Sequence, residues 1–331
     1  MSTPLWKQIQ KQNFTSFRDL FSFLEIKDEK PFHLKPKFPL NVPRRLAEKI
    51  RKNSLDDPIL RQFVPLEEET ALSSQFKADP VCDQEFRKEK KLLHKYRGRA
   101  LLLCTSACAM HCRFCFRQNF PYETEQKGFE KELQIIAEDP SLTEIILSGG
   151  DPLSLSNKEL AQLFSDLSKI PHLKIVRFHT RFPIGIPERI DPEFLTILKQ
   201  CSLQIFFVVH VNHYLELDND VLLALKSIRQ LGIPLLTQTV LLQGVNDTVC
   251  VLKALFEKLI ENGIVPYYLH QLDQVQGGMH FEVEQSKGVA LMMQLKELLP
   301  GYALPKYVKE EAHKKHKSDL LLFEVGVDHL P

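Results

Sequence analysis

The stretch ALLLCTSACAMHCRFC (100–115) decides the reading of this chain, because an apolar run of strand character leads directly into three cysteines spaced C-x3-C-x2-C. The run at 100–104 is the first of six. EIILSGG (144–150), KIVRFHT (174–180), QIFFVVHV (204–211), LLTQTVLL (235–242) and YYLHQLD (267–273) follow at roughly 30-residue spacing. Between them lie helical patterns at 129–139, 157–170, 192–201, 220–232 and 251–263, and another at 287–299 follows the last run. Strands alternating with helices imply βαβ units, right-handed crossovers and a curved parallel sheet with helices outside. Six such units predict an α/β fold: an open, partial (β/α)6 version of the eightfold barrel. Reactive side chains are expected at the C-terminal ends of its strands, where Cys108, Cys112 and Cys115 fall.

Around this barrel, spanning 96–300, the sequence predicts a charged, proline-rich helical extension at 1–95 and a short C-terminal segment at 301–331 outside the alternation. VPRRLAEKIRKN (42–53) has helical spacing, and no repeat is present. The 331 residues are 44% hydrophobic, enough for a sizeable core, and the net charge of +1 offers no field for nucleic acid or an anionic membrane. No apolar run reaches membrane-spanning length, and the N-terminus lacks the apolar stretch of a secretory signal, so a cytosolic protein is expected.

Seven cysteines, four of them within residues 104–115, argue for a metal site in a reducing compartment rather than a disulfide framework. Three thiolates can hold three corners of a 4Fe–4S cube and leave the fourth iron open to a ligand. The competing reading is a structural zinc with Cys104 or His111 as fourth ligand. Such sites usually need a second, distant cysteine pair, which this chain lacks.

C-x3-C-x2-C with Phe114 before the last cysteine resembles the signature of the radical S-adenosylmethionine superfamily. That resemblance implies S-adenosylmethionine chelated to the open iron and cleaved to a 5′-deoxyadenosyl radical. It also implies that Ser148, Gly149, Gly150 and Asp151, in SGGDPL (148–153), lie near the methionine amino group. HKYRGRALLL (94–103), CRFCFRQNFPY (112–122), LSGGDPLSL (147–155), HTRFPIGIPERI (179–190), QTVLLQGVND (238–247) and HQLDQVQGGMHF (270–281) together resemble the lysine 2,3-aminomutase family over residues 90–320. Within it, the chain looks most like the short branch that supplies β-lysine for modification of translation elongation factor P.

This resemblance implies a second cofactor, pyridoxal 5′-phosphate, and a reaction in which an amino group moves between adjacent carbons of lysine. An ungapped match from Pro305 puts the Schiff-base lysine at Lys317, with Lys314 and Lys315 as competitors in EEAHKKHKSD, where the family has glycines. Arg117 corresponds to the arginine that pairs with the substrate carboxylate. Asp273 corresponds to an acid for the distal amine, and Glu310 aligns with a second one. Lys95 and Arg99 stand where basic residues contact the cofactor phosphate, and Gln238 near both cofactors. His210, His213 and His270 are read as wall residues. The implied partners are lysine, free or on elongation factor P, and an electron donor such as flavodoxin or ferredoxin. The rival function is a radical enzyme that modifies RNA or a peptide without pyridoxal phosphate. A third reading is a zinc or scaffold protein that kept the fold without activity. A second cysteine cluster or a basic surface would favour the RNA or peptide enzyme, and the sequence has neither.

Overall fold

The computed structural model of the chain describes residues 3–123 and 128–322. Each of the six apolar runs forms a strand, and the sheet they share is wider than expected. It contains β1 (Arg87–Glu89), β2 (Leu92–Tyr96), β3 (Arg99–Thr105), β4 (Glu144–Gly149) and β5 (Ile175–Thr180). It continues through β6 (Gln204–His210), β7 (Leu235–Val240), β8 (Val265–His270), β9 (Lys306–Lys309) and β10 (Ser318–Asp319). Strand order in space is strand order in sequence. The pairs from β3 to β9 are parallel, and β1–β2, β2–β3 and β9–β10 are antiparallel.

Four of these strands, β1, β2, β9 and β10, fall where none was expected. Residues 306–309 were placed outside the alternation, yet β9 pairs parallel to β8. Its sequence KYVK buries only Tyr307 and Val308, and lysines at both ends hide so short an apolar signal. Likewise, β1 and β2 lie inside the extension read as helical and charged. Residues 323–331 of the C-terminal segment lie outside the described residues.

A helix follows each strand from β3 to β8: Glu130–Glu138, Asn157–Ser168, Pro192–Gln200, Asn219–Arg229, Val249–Glu261 and Gln285–Leu298. Ser156, Asp191, Asp218 and Thr248 accept amide hydrogen bonds at four of their N-termini, each contributing about 1 kcal/mol. Period-two alternation divides each strand between two environments. On β5, Val176 and Phe178 are buried under the helices, while Arg177 and His179 face the interior. On β7, Leu236, Gln238 and Val240 face inward. The strands thereby build a core outside the sheet and, inside it, a mostly apolar cavity that carries a set of polar side chains.

The N-terminal region packs on this frame rather than standing apart. Its short helices, Leu5–Gln10, Phe17–Leu24, Arg44–Lys49 and Pro58–Phe63, bury residues in the same apolar core as the barrel. Trp6 meets Phe182 edge-on at 5.5 Å, and Arg45 pairs with Glu188, Asp218 and Asp220. Among the described residues no helix is long and apolar enough to cross a membrane.

Candidate active site

One cavity of about 980 Å³ occupies the inside of the sheet and the C-terminal ends of its strands. Cys108, Cys112 and Cys115 line one end, with Ser148, Gly149, Gly150 and Asp151 beside them. Lys317, Lys95, Arg99, Glu310 and Asp273 line the other, and Arg117 and Gln238 lie on its wall. Lys314 and Lys315 do not line it. Lys314 pairs with Glu311 on the surface, and Lys315 is exposed.

The cysteine loop follows β3 and is gripped by the N-terminal region. Gln10 and Asn13 donate to the carbonyls of Cys108 and Ala109. The amides of His111 and Arg113 donate to the carbonyls of Asn41 and Gln62. Arg113, 1% exposed, sends its guanidinium to Glu69 and to the Phe38 carbonyl. The zinc alternative does not fit this geometry. The Cys104 thiol is turned to the Leu102 carbonyl inside β3, and His111 is bonded to the Pro39 carbonyl. Among the described residues, the one trio of ligand atoms lying within 4.8 Å of one another is Cys82, Glu85 and His313. The three loop sulfurs are therefore more widely spread than the roughly 3.8 Å that tetrahedral bonds of about 2.3 Å to a single zinc impose. A cube of several iron atoms suits that spread. Burial raises all three thiols above their ordinary range, Cys115 to about 11. A bound metal would ionise them.

The glycines that end β4 have a packing reason. A Cβ on Gly149, whose φ is +118°, would lie 2.6 Å from the Thr105 carbonyl, and one on Gly150 would lie 2.4 Å from that of Ala107. They let β4 press against the backbone that enters the cysteine loop. Asp151 is equally committed. Its oxygens accept from the amides of Leu153, Arg181 and Phe182 and from the Thr180 hydroxyl, tying the ends of β4 and β5 together. Burial raises its carboxyl to about 6 against the pull of these donors.

At the far end, Glu310 gathers charge. Lys317, from the loop between β9 and β10, pairs with it, as does Lys95 from β2, and the Tyr96 hydroxyl donates to it. Burial alone would raise this carboxyl, but Lys317 and the three hydrogen bonds hold it at about 2. Asp273, just past β8, makes no side-chain hydrogen bond among the described residues. Burial lifts it to about 7, outweighing the attraction of Lys317. Such a carboxyl is matched to an incoming cation. Nε2 of His179 and of His270 are buried without partners, so polar atoms wait on the wall for a ligand. His210 bonds Asn212, and His213 caps Leu215 away from the cavity.

Several contributors were not visible in the sequence. Asp83 pairs with Nε of Arg117 at 2.8 Å, while Nη1 of Arg117 donates to Ser148. The Tyr122 hydroxyl donates to the Gly149 carbonyl. Arg181, within the quoted segment HTRFPIGIPERI, reaches Cys112. An arginine at a strand's C-terminal end was the one available signal for it.

The fold and the site define an iron–sulfur enzyme built on a partial barrel. Residues 97–184 match the family described as a 4Fe-4S single cluster domain. L-lysine 2,3-aminomutase of Haemophilus influenzae is 39% identical over 284 residues, 85% of this chain and 84% of that protein. The Escherichia coli K12 protein of that name is 40% identical, covering 86% and 83%. That of Clostridium subterminale is 34% identical, covering 78% of this chain and 63% of its own length. The chain belongs to the L-lysine 2,3-aminomutase family, a family of isomerases. In fold it is similar to Streptococcus suis SuiB, solved with the precursor peptide SuiA, at a TM-score of 0.52 and 15% identity, over 68% of this chain and 51% of that one.

Proposed function

We propose that this protein is a radical S-adenosylmethionine, pyridoxal-phosphate-dependent lysine 2,3-aminomutase that makes β-lysine for elongation factor P. The observation that carries the reading is a single cavity with the three cysteines at one end and Lys317, Glu310 and Asp273 at the other. When bound, the 4Fe–4S cluster and S-adenosylmethionine supply a carbon radical, and pyridoxal phosphate supplies an electron sink for a radical beside nitrogen.

In this reading Cys108, Cys112 and Cys115 hold the cluster, and Ser148 to Asp151 border the methionine group. Lys317 carries the pyridoxal phosphate through Nζ, with Lys95 and Arg99 near its phosphate and Gln238 between the cofactors. Arg117 binds the substrate carboxylate, already oriented by Asp83, and a guanidinium fork suits that task. Asp273 takes the distal ammonium, and Glu310 adds a second negative charge. The chain divides into an arm at 1–95, the barrel at 96–300 and a cofactor segment at 301–331. A flavodoxin- or ferredoxin-type protein in the cytosol supplies the electron. The elongation-factor branch is supported by the segments CRFCFRQNFPY and DQVQGGMHF.

The test is mass spectrometry after anaerobic incubation of the reconstituted protein with free lysine, and separately with elongation factor P. β-Lysine in either arm supports the aminomutase, and the arm in which it forms identifies the substrate. No isomerised product in either arm overturns the proposal.

A further inference from the structure

Arg181 lies just past β5 and is 6% exposed. Its Nη1 donates to Sγ of Cys112 at 3.0 Å. Nη2 donates to Gln62 Oε1 at 2.7 Å and to Glu216 Oε2 at 2.8 Å. The rings of Phe63 and Phe114 lie 4.6 and 5.2 Å from the guanidinium carbon. The Arg181 amide is tied to Asp151, and Gln62 and Glu216 are wholly buried. Three separate parts of the chain thus aim one guanidinium. Glu216 answers its charge, as burial requires. The arm pointing at sulfur needs another explanation, because a neutral thiol is a weak acceptor. A thiolate that shares the charge of an iron cluster is a strong one.

We infer that Arg181 raises the reduction potential of the cluster bound at Cys112, and that Gln62, from the N-terminal arm, holds the guanidinium in register. The inference rests on the reading of Cys108, Cys112 and Cys115 as cluster ligands. On reduction the oxidised cluster takes one electron from a low-potential donor, no bond forms or breaks, and the cluster becomes more negative by one charge. Hydrogen bonds to its sulfurs and nearby positive charge favour the more negative state. Glu216 offsets part of the charge, but the N–H dipole stays directed at the sulfur. Low local polarizability around the buried pair strengthens that effect. Arg181 acts through a ligand of the cluster and not on substrate, so it is a positioning residue. The arm that contains Gln62 thereby influences how readily the radical chemistry begins.

The experiment is a dithionite titration with redox mediators, followed by the electron paramagnetic resonance of the reduced cluster. It compares the wild type with Arg181→Met, Arg181→Lys and Gln62→Leu, each loaded anaerobically with iron and sulfide. The midpoint of Arg181→Met is expected to fall by about 59 mV, which is a tenfold change in a one-electron equilibrium. Gln62→Leu should move it the same way by less, and Arg181→Lys should recover part of the loss. A fully loaded Arg181→Met protein with an unmoved midpoint overturns the inference. Should Arg181→Met fail to load iron, the other two decide: a fall in either supports the inference, and no shift in both overturns it. A wild type that binds no cluster at these cysteines overturns the ligand reading and this inference together. A shifted midpoint in a chain that makes no β-lysine leaves the inference standing and removes the proposed reaction.

Discussion

The cysteine loop and the lysine loop face the same cavity, but different forces hold them. Around the cysteines the buried Arg113–Glu69 ion pair is joined by hydrogen bonds of the loop's backbone amides and carbonyls with residues 10–62. The net contributions of those hydrogen bonds, about 1 kcal/mol each, do not depend on pH or on an arriving ligand. The lysine loop is held by charge, with two ammonium groups and a phenol converging on Glu310. Those pairs can be exchanged when a phosphate or another cation enters. One end is therefore held independently of any ligand, and the other by ion pairs that an incoming anion or cation can replace.

Substitutions at four sites, with two lysine controls, would break or sharpen this contrast. The largest effect is expected from Lys317→Ala, which abolishes a borohydride-reducible pyridoxal adduct. Lys314→Ala and Lys315→Ala should keep it, and peptide mapping of the reduced adduct distinguishes them. Next comes Glu69→Gln, which strands the buried Arg113. Losing one partner of such a pair costs roughly 3–5 kcal/mol, visible in urea unfolding, and iron content should fall with it.

Glu310→Gln should cost less, about 1–3 kcal/mol, because the side chain of Lys317 is 26% exposed. Its effect should also depend on pH. With the folded carboxyl held at about 2 against an ordinary 4.5, the stabilisation is complete above 4.5 and disappears as pH falls toward 2. The variant should lack that acid limb in thermal melts across the same range.

Asp273→Asn has the smallest expected effect on stability, and the opposite sign. A buried carboxyl raised from 3.8 to about 7 destabilises the fold progressively as pH climbs between those values. The variant should gain about 1–2 kcal/mol at pH 8 and nothing at pH 4. In the wild type, the KM for lysine should rise as pH drops below 7 and this carboxyl loses its charge. An Asp273→Asn protein with unchanged KM would remove the residue from substrate binding.

The same contrast explains what could be read in advance. The six strands were legible because their buried and inward residues alternate within apolar runs, and Cys108, Cys112 and Cys115 because their spacing is local. Lys317 sat in a charged run where Lys314 and Lys315 look equivalent, and only the return of the chain through β9 turns one of them inward. The grip on the cysteine loop was not legible at all. Asn13 meets Ala109 across 96 positions and Gln62 meets Arg181 across 119, distances over which polar side chains carry no periodic signal. Glycines 149 and 150 were noticed for closeness to a ligand. The closeness that excludes a Cβ is to the neighbouring backbone.

Because the strands pair strictly in the order they occur, the sheet can grow as a ribosome delivers it. Each new strand finds its neighbour already in place, with little entropy lost to long loops. The hydrogen-bonded set at Cys112, made of Gln62, Arg181 and Glu216, has been synthesised by residue 216. Lys317 emerges a hundred residues later. A nascent chain therefore carries the three cysteines and the arginine aimed at them before the lysine loop exists, although Leu242, Leu272 and Phe281 of the apolar cluster beside Cys112 arrive in between. Radical-generating parts would then precede, in time as well as in sequence, the group that holds what the radical acts upon.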